Sequence, residues 1–138
     1  MQKLLPALFL FLAGSFLLNA QTQIEVEVTN FKSNKGVAYL GLYESENTFL
    51  NRVLQGEKLM IKNNKVVCTF KDIPPGTYAI SVFHDEDENG ELTTNFMGIP
   101  KESYAASNNA ASRLGPPKWQ DARFRVNAGE TVYQKIEL

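Results

Sequence analysis

Gly76-Thr77-Tyr78-Ala79-Ile80-Ser81-Val82-Phe83 runs directly into His84-Asp85-Glu86-Asp87-Glu88-Asn89-Gly90-Glu91. The first stretch is uncharged and rich in β-branched and aromatic residues, the pattern of a strand. The second sets side-chain oxygens at alternate positions, with a glycine where the chain must turn. Upstream, Asp72-Ile73-Pro74-Pro75-Gly76 is a stiff turn that delivers the chain into the strand. No Lys or Arg occurs between Lys71 and Lys101. The carboxylates of Asp72, Asp85, Glu86, Asp87, Glu88 and Glu91 therefore lack a cationic partner nearby in sequence, and such an arrangement calls for a cation.

Strand signals also dominate the rest of the chain. Ile24, Val26 and Val28 alternate with Glu25, Glu27 and Thr29, which predicts a half-buried strand. From Gly36 to Tyr43 both faces are apolar, with Val37, Tyr39 and Tyr43 on one and Ala38, Leu40 and Leu42 on the other, as in a central strand. Residues 45–56 have no period of two and read as a loop or short helix, with Phe49 and Leu50 tucked inward. Lys58–Ile61 and Val66–Phe70 flank Asn63-Asn64, whose side chains tolerate positive φ, so a hairpin turn is predicted.

The segment 85–119 is long and polar, and a stretch of that length in a small domain is usually functional. Strand signals return at 122–126 and, after Asn127-Ala128-Gly129, at 132–138. Together these predict an all-β fold: a single antiparallel β-sandwich of about seven strands with a long loop at 85–119.

The N-terminus carries Lys3 and then an apolar run from Leu4 to Leu18, broken by Pro6, Gly14 and Ser15. It reads as a signal peptide over residues 1–20, cleaved after Ala20, with the β-sandwich domain over 21–138. Export to the periplasm or the cell exterior follows, and no second apolar run is long enough for the mature chain to span a membrane. Without Lys3 the balance is 13 basic to 15 acidic residues, a net charge of −2 with His neutral. That weak acidity argues against nucleic acid or an anionic membrane as the partner, since both attract concentrated Lys and Arg. Cys68 is the single cysteine, so the domain has no internal disulfide. Its strand parity with Val66 and Phe70 predicts a buried, unpaired thiol.

Asp85-x-Asp87-x-Asn89-Gly90 matches the first half of a calcium loop. The twelfth position is Phe96 rather than a chelating Glu, so this is not an EF-hand. A looser loop offers Asp85, Asp87, Asn89, Glu91 (through its carbonyl) and either Thr93 or Asn95 as metal ligands, with Ca²⁺ as the fitting ion. The competing account is a solvated acidic loop. One His and one Cys cannot build a zinc site. A triad of Ser81, His84 and Asp85 fails because adjacent strand residues point to opposite faces. His84 reads instead as a strand-end residue hydrogen-bonded into the loop that follows it.

Tyr104, Ser107, Asn108, Asn109 and Trp119 form a second group, in the residue types that recognise sugars or peptides. The same residues also suit a long loop that pins itself down.

The run Phe70 to Val82, with Pro74-Pro75-Gly76-Thr77-Tyr78 at its turn, resembles the hairpin shared by prealbumin-like and carboxypeptidase-regulatory-like sandwiches. His84-Asp85, Asn89-Gly90, Gly98-Ile99-Pro100-Lys101-Glu102, Ser107-Asn108-Asn109 and Gly115-Pro116-Pro117-Lys118-Trp119-Gln120-Asp121-Ala122-Arg123-Phe124 follow in order. The whole set resembles the exported bacterial family known as domain of unknown function 2141. The resemblance implies a prealbumin-like or immunoglobulin-like sandwich and no activity. The chain departs from the family pattern at Thr93, where an Asp is usual, and at Ala105-Ala106, where Gly and an aromatic are usual.

The functional expectation is a non-catalytic binding or accessory module of the cell envelope, its partner a cell-surface protein or carbohydrate. The alternatives are a small hydrolase or sugar-active enzyme using Asp85, Asp87 or Glu91, and a structural envelope protein.

Overall fold

The computed structural model describes residues 20–138, so the predicted leader lies, apart from Ala20, outside the described residues. The elements in chain order are β1 (Gln23–Thr29), β2 (Val37–Tyr43), β3 (Gln55–Met60), β4 (Val66–Phe70) and β5 (Gly76–Asp85). There follow β6 (Tyr104–Ala106), a 3-10 turn (Ser107–Asn109), the short helix α1 (Trp119–Ala122), β7 (Phe124–Val126) and β8 (Thr131–Glu137). Two sheets pack face to face as a β-sandwich: a three-stranded sheet in the order β4-β1-β8, and a five-stranded sheet in the order β3-β2-β5-β6 with β7 also on β5.

The alternation read at Ile24, Val26 and Val28 buries these three side chains and leaves the intervening residues half exposed. They meet Leu40, Leu42, Ile80 and Val82 from the facing sheet in the main core. Each such side chain contributes about 1.5–3 kcal/mol on leaving water. β2 is central, between β3 and β5, which is why it can be apolar on both faces. A second cluster (Tyr43, Phe49, Ala79, Ala106, Trp119, Ala122) joins the 45–52 turns and α1 to the sheet. Phe49 stands edge-on between Tyr43 and Trp119, with ring centroids at 5.3 and 5.8 Å.

Several expectations are corrected. The sandwich has eight strands among the described residues, in line with the expected number, but one pair, β1 with β8, runs parallel rather than antiparallel. Alternation alone does not encode strand direction. The Asn63-Asn64 turn forms, with both residues at positive φ and Lys62 bridging Lys65, but the strands it joins go to different sheets. β3 starts at Gln55 rather than Lys58 because it pairs with β2 as far as Leu42.

Of the two alternatives for residues 45–52, the loop is the one found, built of successive turns. Phe49 is buried but Leu50 is exposed, at φ +60°. The segment 85–119 is not one structureless loop. It contributes β6 to the five-stranded sheet, along with the 3-10 turn and the start of α1. The final strand before the 127–129 turn is only β7, because Ala122 ends α1. Cys68 packs on the core from a half-buried position, so its burial is only partial.

Candidate metal centre at the end of β5

β5 is paired with β2 up to Val37 opposite Asp85, and there the chain leaves the sheet. Gly36, at φ +69°, lets the start of β2 touch that exit, since a Cβ there would sit 2.0 Å from the Asp85 carbonyl oxygen. Strand parity sends His84 and Asp85 to opposite faces, yet both are fully buried. The 30–36 segment covers His84, whose Nε2–H donates to the Lys35 carbonyl at 2.7 Å, with Phe31 edge-on to the ring. The His84 ring therefore bonds into the loop before β2, not into the loop that follows it. Its Nδ1 has no hydrogen-bond partner and lies 3.8 Å from Glu86 Oε1.

Asp85 faces the other way, into the acidic loop. Its Oδ1 accepts from the Asn89 N–H at 3.2 Å and its Oδ2 from the Gly90 N–H at 2.8 Å. The turn needs positive φ at Glu88 and Gly90, and folds the loop back over this carboxylate. Asp87 Oδ1 accepts from the same Asn89 N–H at 3.2 Å, and its Oδ2 accepts from the Asn89 amide at 3.4 Å. Thr93 Oγ1 accepts from that amide at 3.0 Å.

The third carboxylate is Glu102, which is buried. Its Oε1 accepts from the Glu86 N–H at 3.0 Å and its Oε2 from the Thr93 N–H at 2.9 Å, strapping the two ends of the loop together. Oxygens of Asp85, Asp87 and Glu102 lie within 4.8 Å of one another.

Carboxylate oxygens converging in this way could hold a metal ion. Among the described residues no Lys or Arg lies within ion-pair distance of a carboxylate, and the His84–Glu86 contact stands alone. Two unit charges about 5 Å apart at an effective dielectric of about 20 repel by about 3 kcal/mol. Backbone N–H groups offset part of that repulsion here, and a divalent cation would offset more.

The structure thus gathers Asp85, Asp87, Asn89 and Thr93, and adds Glu102. Ligand counting along Asp85 to Phe96 missed Glu102 because it lies beyond that window. Its signal was its place after Gly98-Ile99-Pro100-Lys101 in a segment otherwise free of cations. Glu91 is exposed, with its amide on Asn89 Oδ1 at 2.9 Å. Asn95 spends its side-chain oxygen within its own turn, on the N–H groups of Met97 and Ile99 at 2.9 and 3.0 Å.

The second group divides. Ser107 is fully buried and donates to the Ala122 carbonyl at 2.6 Å while accepting from the Ile80 N–H at 2.9 Å. The Asn108 amide bridges the Asp121 and Arg123 carbonyls, and Asn109 Oδ1 holds the Glu137 N–H. Trp119 fills the second apolar cluster. These four tie the segment to α1, β5 and β8. Tyr104, on β6, lines an open cavity instead.

No helix of the described residues is long and apolar enough to cross a membrane. No curated protein and no solved structure matches the chain. A family model, described as an uncharacterized protein conserved in bacteria (DUF2141), matches residues 26–134. The chain belongs to this uncharacterised bacterial family.

Proposed function

We propose that this protein is an exported, non-catalytic binding module of the cell envelope whose acidic loop is organised by a weakly held Ca²⁺. The observation that carries the reading is the convergence of Asp85, Asp87 and Glu102 from three points of one loop. Every one of these carboxylates is held by backbone N–H donors, so an ion bound there would fix the path of the chain from Glu86 to Glu102. In the present geometry the Asn89 amide points its N–H at Asp87, and the cation takes over that donor's place. Carboxylates anchored in this manner suit a structural ion better than general acid–base work, which needs two groups held at different pKa values. Export rests on the leader-like residues 1–20.

Missing a chelating Glu within the short loop, the site should bind in the 10⁻⁴–10⁻³ M range (order of magnitude) of extracellular calcium modules. At about ten times Kd, Ca²⁺ should add about 1.4 kcal/mol of stability. For a domain of this size that raises the melting temperature by about 5 °C. Mg²⁺, which gives up its water reluctantly, should do much less. The response should vanish in Asp85→Asn/Asp87→Asn and shrink in Asp87→Asn alone, a substitution at an exposed position that leaves the fold intact. A wild-type melting curve indifferent to millimolar Ca²⁺ refutes the metal.

A further inference from the structure

A cavity of about 710 Å³ opens on the outer face of the five-stranded sheet. Its floor is Ser81 and Phe83 of β5 and Tyr104 of β6, on the side of β5 opposite the core residues Ile80 and Val82. One wall is the 92–100 turn and the other the 112–117 segment. The volume falls in the range of small-molecule sites, about 300–1,000 Å³. None of the clustered carboxylates lines it, and the one charged residue that does is Arg113. Arg113 is exposed at the mouth, and no carboxylate among the described residues lies within ion-pair distance of it. Polar groups deeper inside are largely satisfied, as where the Tyr43 hydroxyl and Ser81 Oγ bond each other at 3.0 Å. Apolar side chains crowd the entrance, with Ile99 54% and Leu114 104% exposed.

We propose that this cavity binds a small amphiphilic anion, its apolar body against Phe83, Tyr104 and Ile99 and its anionic group on Arg113. An apolar body leaves water on entering, while the guanidinium at the mouth meets a carboxylate, sulfonate or phosphate without dehydrating it fully. The wall is held by the acidic loop, since the Lys101 N–H donates to the Thr93 carbonyl at 2.8 Å and Thr93 in turn donates to Glu102. The proposal rests on the reading of the chain as a binding module, and not on the ion.

Two fluorescent probes with the same kind of aromatic body test it: anilinonaphthalene sulfonate, an anion, and uncharged phenylnaphthylamine. Both should bind the native protein saturably, one per chain. Arg113→Gln should weaken the anion by about tenfold and the neutral probe by less than about twofold. Ile99→Ser/Leu114→Ser, at exposed positions that leave the fold intact, should weaken both together. The proposal is overturned if neither probe saturates, if Arg113→Gln treats the two alike, or if the double variant changes nothing, as when probes coat a surface that takes a protein partner.

Titrations in chelator and in Ca²⁺ separate the two claims. A Ca²⁺-dependent melting shift with no probe binding removes the cavity and leaves the ion. Probe binding without that shift does the reverse.

Discussion

A Cβ on residue 36 would meet the Asp85 carbonyl oxygen at 2.0 Å and the Glu86 Cα at 2.8 Å, both backbone atoms that cannot turn aside. Position 36 also sits at φ +69°, where an L side chain is strained. Gly36→Ala therefore pushes the exit of β5 away from β2 and disturbs the base of the acidic loop. It should destabilise the protein by about 3 kcal/mol, the sum of a left-handed backbone and an overpacked contact. Chemical denaturation measures this, and a loss below about 0.5 kcal/mol would mean that the close approach does not hold. Nothing in the sequence around Gly36 announces the contact, because its partner lies far along the chain. The same holds for Glu102: Asp85 and Asp87 were legible as a short motif, whereas Glu102 reaches the site through the chain reversal at 93–101. A motif read along the chain finds ligands a few residues apart and misses those that folding brings in.

At the scale of the element, parity was the most legible signal and direction the least. The alternation of Ile24, Val26 and Val28 located the core face of β1, and the double apolarity of β2 located a central strand. Neither says whether a neighbour runs parallel, which is why β8 beside β1 was unforeseen. On β4 parity placed Cys68 inward with Val66 and Phe70, and the structure leaves it half-buried near the sheet edge. Burial, with a smaller part from Glu57, pushes its thiol up to about 11 from an ordinary 9.0.

The folded state thus favours the neutral thiol. This group's contribution to stability is fully present below about pH 9 and is lost as pH rises towards 11. Alkylation of native protein should accelerate with a midpoint near pH 11, and that of denatured protein near pH 9. A native midpoint near 9 would place Cys68 in water.

Across the described residues, two sheets bury the main core, and both the carboxylate cluster and the cavity hang on the five-stranded sheet. The sandwich was readable because its strands are short, alternating and separated by turn residues. The interior of 85–119 was not, because β6 and α1 are three and four residues long, too short to show a period. Their position is set by contacts across the fold, such as Ser107 on Ile80 and Ala122. The same segment builds both the carboxylate cluster and the cavity wall, so an ion at Asp85, Asp87 and Glu102 would set the path of the loop.

The most direct measurement is a backbone amide NMR titration with Ca²⁺. The N–H groups of Glu86, Asn89, Gly90 and Thr93 donate to those carboxylates and should shift together along one binding curve. Amides of β8, on the other sheet, should stay in place. The shifts should disappear in Glu102→Gln. Amides at Glu86 to Thr93 that do not move at about 10 mM Ca²⁺, ten times the weak end of the expected range, would contradict the account. So would shifts scattered evenly over the acidic surface.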